Sequence, residues 1–254
     1  MTAQPSTQPP SPPRRTARII VLCVLAAVLF AVFCSLGAWQ VQRRAWKLEL
    51  ISQVDQRVHQ PVVPAPLPAQ WPSLSRGGDE YRHVQARGTP RHDQETLVQA
   101  TTDYGSGYWV MTPLQLSDGG TVLINRGFVL PAWRKRPHPD PAAGEISVAG
   151  LLRMSEPETF LRTNDPARNI WYSRDTGAIA AARGLGDVAP YFIDVEKGPG
   201  QASDPAVAPI PGLTVIDFPN NHLSYAITWF ALAAMVIVGA VIAIRVERRG
   251  RDDT

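Results

Sequence analysis

Two apolar runs without a single charge constrain this chain more than any other feature. Ile19–Trp39 has 21 residues and Leu223–Ile244 has 22, in a chain of 254. At ~1.5 Å per residue, each run as an α-helix is about 31–33 Å long, the thickness of a bilayer core. The mean hydropathy of -0.10 is close to that of a soluble protein. It is an average of these two runs and the polar, proline-rich stretch between them.

Arg14, Arg15 and Arg18 precede the first run, as basic residues precede a cleaved signal peptide. Two features oppose cleavage. The run exceeds an apolar signal region of ~7–15 residues, and it flows into a helical pattern with only Ser35-Leu36-Gly37 as a weak cleavage site. We read it as an uncleaved anchor. Arg245, Arg248, Arg249 and Arg251 follow the second run, and no Lys or Arg lies between Lys197 and Arg245. By the positive-inside rule both termini are cytoplasmic, although Arg43, Arg44 and Lys47 dilute the signal at the first span.

The expected layout is therefore a disordered tail at 1–18, a transmembrane helix at 19–39, an outer domain at 40–222, a second transmembrane helix at 223–244 and a basic tail at 245–254. The expected setting is the inner membrane of a bacterial cell, with the outer domain in the periplasm. A mitochondrial precursor would carry a longer Arg- and Ser-rich presequence.

The first helix is expected to run beyond the membrane to about Val58. Trp39, Arg43, Trp46 and Leu50 recur at four, three and four, so they share one face. Pro61–Pro68 then reads as an extended linker. The chain holds 24 prolines, roughly twice the ordinary share, which argues against a helical bundle. Strands are expected at Tyr81–Gly88, Glu95–Thr101, Tyr108–Leu116, Thr121–Leu130, Glu145–Met154, Asn169–Arg174 and Tyr191–Val195. Ser117-Asp-Gly-Gly120 reads as a hairpin turn, Arg136–Pro141 as a breaker, and Thr176–Arg183 as a short helix. Sequential strands with tight turns imply an α+β fold, a mainly antiparallel outer domain with few helices flanked by the two spans.

The search for chemistry excludes more than it finds. Both cysteines, Cys23 and Cys34, lie in the first apolar run, which rules out a disulfide scaffold, a thiolate zinc site and a Cys-x-x-Cys redox pair. A net charge of +3 is too mild to imply a nucleic-acid partner. No metalloprotease, nucleophile-elbow, Walker or covalent-haem motif is present. Gly184–Ala189 fits the loose dinucleotide pattern, but it follows a helix and precedes a strand, so a helix C-cap is the better reading. His83 and His92 are placed to meet across a hairpin, or simply to be polar strand residues.

His222 differs by position, because it opens the second span. An imidazole at the membrane edge can ligate haem iron. Alternatively, Asn220 or Asn221 caps the helix, and Tyr225 and Trp229 are interfacial anchors. Arg126 lies within a strand beside Gly127, a place for a bulge or a close backbone approach. Asn164, Trp171, Arg174 and Asp175 form a second polar-aromatic cluster, suited to a structural Arg–Asp pair or to a ligand.

Four runs together resemble the Surf1 family, which includes yeast Shy1. They are Leu36-Gly37-Ala-Trp39-Gln40-Val-Gln-Arg43-Arg44-Ala-Trp46-Lys47; Val122-Leu-Ile-Asn125-Arg126-Gly127-Phe128-Val129; Asn169-Ile-Trp171-Tyr172-Ser-Arg174-Asp175; and Asn220-Asn221-His222-Leu-Ser-Tyr225-Ala-Ile-Thr228-Trp229-Phe230. They occur in the family's order, and the resemblance runs from about residue 20 to 245. The family usually has Trp at the position of Phe128. The resemblance implies a non-enzymatic assembly factor for haem-copper cytochrome c oxidase, associated with supply of haem a. The implied partners are oxidase subunit I, the haem a synthesis machinery and the lipid bilayer. His222 falls on the family's candidate haem ligand, with Tyr225 and Trp229 beside it. Gly37, Trp39, Arg43, Trp46, Asn125, Arg126, Gly127, Trp171, Asp175, Asn220 and Asn221 are carried over as motif or partner-binding positions. A scaffold that never touches haem, and a membrane-anchored periplasmic enzyme, are the competing readings.

Overall fold

The computed structural model describes residues 14–135, 144–160, 162–198, 204–214 and 220–249. The chain forms two compact units, residues 1–51 with 218–254, and residues 52–217. The breaker at Arg136–Pro141 lies outside the described residues.

The first unit is built from two long helices, α1 (Arg14–Val58) and the last helix of the chain (His222–Arg249). Both hold a stretch long and apolar enough to cross a membrane. Each has an inward face with near-heptad spacing. On α1 the covered positions include Ala26, Phe33, Gly37, Gln40 and Arg44; on the last helix they include His222, Ala226, Trp229, Ala233, Val236 and Ala240. Steps of three and four along both helices are those of a left-handed pair. Small residues at the seam let the two backbones approach. Ala226 and Ala233 are buried there, and a side chain at Gly37 would run into the Phe230 ring. At its other end α1 stops where Pro61 approaches, with the His59 amide bonded to the Asp55 carbonyl.

The second unit is a β domain. Its strands are β1 (Val63–Pro64), β2 (His83–Pro90), β3 (Thr96–Thr102), β4 (Gly105–Leu116), β5 (Thr121–Val129), β6 (Ile146–Met154) and β7 (Val188–Val195). Its helices are the single turn α2 (Arg76–Asp79) and α3 (Thr176–Arg183), which makes the last helix of the chain α4. The strand order is β1-β2-β6-β7-β5-β4-β3, and β2 also pairs with β4 through Gly88–Leu116, Thr89–Gln115 and Pro90–Leu114. Strands β2, β6, β7, β5 and β4 thus close into a ring. Most pairs are antiparallel. The β5–β7 pair is parallel, and the segment holding β6 and α3 provides the crossover that parallel neighbours need.

Side chains alternate between two cores, as the period of two requires. Val122, Ile124, Tyr191 and Ile193 join Val84, Leu114 and Leu152 in one cluster. Leu123 and Phe192 point the other way, onto Met111, Val98, Trp171 and Ile179 of α3. This double burial explains the consecutive apolar residues Val122–Ile124 of β5 and Tyr191–Ile193 of β7.

The α+β class is as expected, and α3 and the hairpin turn fall where the sequence places them. In the turn, Gly119 and Gly120 take φ of +95° and +77°, which only glycine adopts freely. Gly184 closes α3 as a left-handed cap, not a phosphate loop. Strand β4 starts three residues earlier than expected, and β7 starts at Val188. One expected strand is absent. Asn169–Arg174 makes only isolated bridges, Asp165–Ile170 and Val98–Trp171. Asn169 is left-handed at φ +54°, and the Asn164 side-chain oxygen accepts from the Tyr172 and Ser173 amides. A side chain thus takes the place of a neighbouring strand.

Candidate functional site

At the start of α4 the His222 ring meets α1. Its Nδ1 lies 2.7 Å from Oε1 of Gln40, a residue only 9% exposed. Nε2 of His222 has no hydrogen-bond partner among the described residues, and the ring is half-buried. Two turns further along, Trp229 stacks on Phe33 with ring centroids 5.8 Å apart. Tyr225 is exposed. The Tyr225 amide bonds to the Asn221 backbone carbonyl, and Asn220 Oδ1 is buried without a partner. The Asn220 side-chain oxygen therefore does not cap the helix. The result is one imidazole with one nitrogen held by Gln40 and the other without a partner among the described residues.

Trp39 and Trp46 are 54% and 53% exposed, and the Arg43 guanidinium lies 4.1 Å from the Trp46 ring centroid. Leu50 is exposed as well. This face is offset from the one that covers Gln40.

In the β domain the other candidates serve the fold. Arg126 and Gly127 form a bulge in β5 opposite Val110, between the Trp109–Phe128 and Met111–Asn125 pairs. At Gly127 φ is +127°, and any side chain there would collide with the Ile210 carbonyl. Asn125 bridges the bulge: Oδ1 accepts from the Gly127 amide, and Nδ2 donates to Asp194 at 2.8 Å. Arg126 donates to Glu95 Oε1 at 2.6 Å, and that oxygen also accepts from Thr112. His92 Nδ1 lies 2.7 Å from the same oxygen, whereas His83 pairs with Glu196. The two histidines therefore do not meet. Among the described residues no cluster of three or more His, Cys, Asp or Glu is arranged to hold a metal ion.

Trp171 is 1% exposed and donates to Asn169 Oδ1, and Asp175 caps α3 through the Ala178 amide. Arg174 pairs with Glu156 and Asp194 rather than with its neighbour Asp175. Asp194 is 5% exposed and accepts from Asn125, Arg153, Arg174 and Thr214. Arg153 also reaches Glu80 and Glu156. Burial works against the Arg153 charge, but Asp194, Tyr81, Glu156 and Glu80 outweigh it and hold its pKa above the ordinary guanidinium value. Arg153, Arg174 and Asp194 border a cavity of about 710 Å³ that is also walled by Tyr104 and Trp109.

The SURF1 family profile matches residues 27–234. The chain belongs to the SURF1 family. Among its relatives is Surfeit locus protein 1 of Xenopus tropicalis, 35% identical over 88% of this chain and 76% of the frog protein. The Rattus norvegicus protein of the same name is 38% identical over 78% of this chain and 68% of its own length. A SURF1-like protein of Monosiga brevicollis is 34% identical over 80% and 79%. With two helices long and apolar enough to span a bilayer, this SURF1 family member is membrane-anchored. The matched span includes all four motif runs up to Phe230, and so both sides of the His222–Gln40 contact. Sequence reasoning missed Gln40 as a site residue. The available signal was an uncharged polar side chain, one residue beyond an apolar span, in the same motif as Gly37 and Trp39.

Proposed function

We propose that this protein is an assembly factor for haem-copper cytochrome c oxidase, and that it assists delivery of haem a to subunit I. The reading rests on membership of the SURF1 family and on one geometric observation. His222 has its Nδ1 engaged and its Nε2 without a partner among the described residues, at the start of a helix that can span a bilayer. A neutral imidazole nitrogen is a common axial ligand of haem iron. The donor set fits: His222 would ligate through Nε2, and Trp229 and Tyr225 follow on the same helix. When bound, haem a supplies the redox-active iron that the oxidase needs. The protein's part is to hold an apolar macrocycle beside lipid, which keeps it from water until transfer.

The basic residues after Ile244 support a bacterial inner-membrane setting with cytoplasmic termini and a periplasmic β domain. An enzymatic role fits less well. Arg153, Arg174 and Asp194 at the 710 Å³ cavity are tied to one another as ion pairs, and none of the three is poised as an acid–base couple. A scaffold that holds oxidase subunits without haem gains support from the exposed Trp39 and Trp46 face.

The deciding measurement is haem a content per protein, read from the Soret band after purification from cells that make haem a. His222→Ala is expected to insert and accumulate normally while its haem content falls. Unchanged haem at unchanged abundance rejects the ligand role and favours the scaffold.

A further inference from the structure

We propose that Gln40 is the positioning residue of His222. Its amide oxygen holds the proton on Nδ1, so the neutral ring keeps its Nε2 lone pair unprotonated and available to iron. The inference rests on reading His222 as a haem ligand, and it names the residue that makes the ring competent for that task.

The argument starts from the two nitrogens. A neutral imidazole carries one proton, and the hydrogen bond at one nitrogen decides which nitrogen remains free. In water the proton of a neutral histidine prefers Nε2, the position that iron would need. At His222 an acceptor oxygen lies 2.7 Å from Nδ1. An oxygen there can only accept, so Nδ1 must donate, and the lone pair is left on Nε2. The same bond fixes the ring plane, because it ties the side chain to a second helix 182 positions away in sequence. In metal sites such outer partners set both tautomer and orientation.

An amide suits this place better than a carboxylate. Gln40 is 9% exposed, just past the apolar run of α1. A buried carboxylate there would need a compensating cation, whereas an amide accepts the proton without adding charge. Gln40 also sits on the covered seam of α1 with Phe33 and Gly37. The stack of Phe33 on Trp229 and the close fit of Gly37 to Phe230 hold that seam in register. A residue at position 39 or 41 would face elsewhere on the helix and could not replace it.

The test needs no haem. The full-length chain is labelled with ¹⁵N-histidine, prepared in lipid nanodiscs from cells that lack haem a, and studied by NMR above the ordinary range of histidine titration. His222→Ala assigns the His222 signals by their loss. The expected result is a protonated-type shift at Nδ1 and an unprotonated-type shift at Nε2. Gln40→Leu is expected to move the ring towards the Nε2–H form, and Gln40→Glu, which keeps an acceptor, to keep Nδ1 protonated, in the neutral Nδ1–H form or in an imidazolium paired with the new carboxylate. A purely structural role for Gln40 would not give that rescue. In cells that make haem a, Gln40→Leu is expected to reduce haem affinity roughly 10- to 100-fold, as loss of an outer-shell partner does.

An Nε2–H tautomer in the unmodified chain overturns the inference, and that result is available even where Gln40→Leu fails to accumulate. So does a Gln40→Leu ring with an unchanged tautomer. If His222→Ala loses haem while the tautomer ignores Gln40, only this inference fails. If His222→Ala keeps its haem, the ligand reading fails and this one falls with it.

Discussion

The polar groups buried in the β domain and those buried in the helix pair are satisfied in different ways. In the domain, charge meets charge. Asp194 takes four hydrogen bonds, and Arg153 and Arg174 share it with Glu156 and, for Arg153, Glu80. In the helix pair, His222 and Gln40 meet through one neutral bond, and one imidazole nitrogen is left over. A network whose members consume each other's bonding capacity holds a fold and has little left for a ligand. A pair with spare capacity contributes less stability and can bind. On the proposed reading, the domain cluster holds the fold and the helix pair is the part that binds a ligand.

The sharpest way to break the contrast is to remove Asp194. Asp194→Ala leaves two half-buried guanidinium groups short of a shared, buried counter-charge, and breaking a buried pair from one side costs about 3–5 kcal/mol. His222→Ala gives up one neutral hydrogen bond and is expected to cost only about 1 kcal/mol. Urea denaturation of the purified protein, followed by tryptophan fluorescence, compares the two. Equal losses would mean that His222 is as structural as Asp194, and the division of labour would fail.

A smaller effect sharpens the account of the Arg126 motif. Glu95 and Arg126 make a half-buried pair at 2.6 Å beside the β5 bulge. The double-mutant cycle Glu95→Gln with Arg126→Met is expected to give a coupling of about 1 kcal/mol. A coupling near zero would release Arg126 from structural duty and return it to the list of partner-binding residues.

Much of this architecture was legible in the sequence because its causes are local. Charge-free runs set α1 and α4, Asp175 and Gly184 bracket α3, and Gly119-Gly120 sets the hairpin. The closed ring was not legible, since it depends on three β2–β4 pairs joined by residues far apart in the chain. Asn169–Arg174 misled because Ile170, Trp171 and Tyr172 have strand composition, while the Asn164 side chain takes the bonds that a ladder would use. Half of the candidate site was readable. His222 stands out at the edge of a span, but Gln40 acts through a partner on another helix, and no spacing rule links two residues 182 apart.

The smallest expected effect isolates one neutral group in the domain and checks that its inner core is dry. Tyr191 is fully buried and donates to the Pro66 carbonyl at 2.9 Å. Burial pushes its hydroxyl pKa well above the usual tyrosine value. The folded state therefore keeps the proton while the unfolded chain loses it near pH ~10. Because the folded pKa is raised, the stability contribution is fully present below pH ~10 and is lost as the pH rises towards the folded value. At pH 10 the unfolded state gains about 0.4 kcal/mol from ionisation, and the loss then approaches about 1.4 kcal/mol per pH unit. Tyr191→Phe gives up the hydrogen bond at all pH values but abolishes this alkaline slope. Denaturation of both proteins at pH 7 to 10.5 reads the difference, because every other titrating group is common to the two. The unmodified protein should lose stability faster than Tyr191→Phe above pH ~9.5. Parallel curves would mean that water reaches the Tyr191 hydroxyl, and the ring of strands β2, β6, β7, β5 and β4 would then not be closed around it.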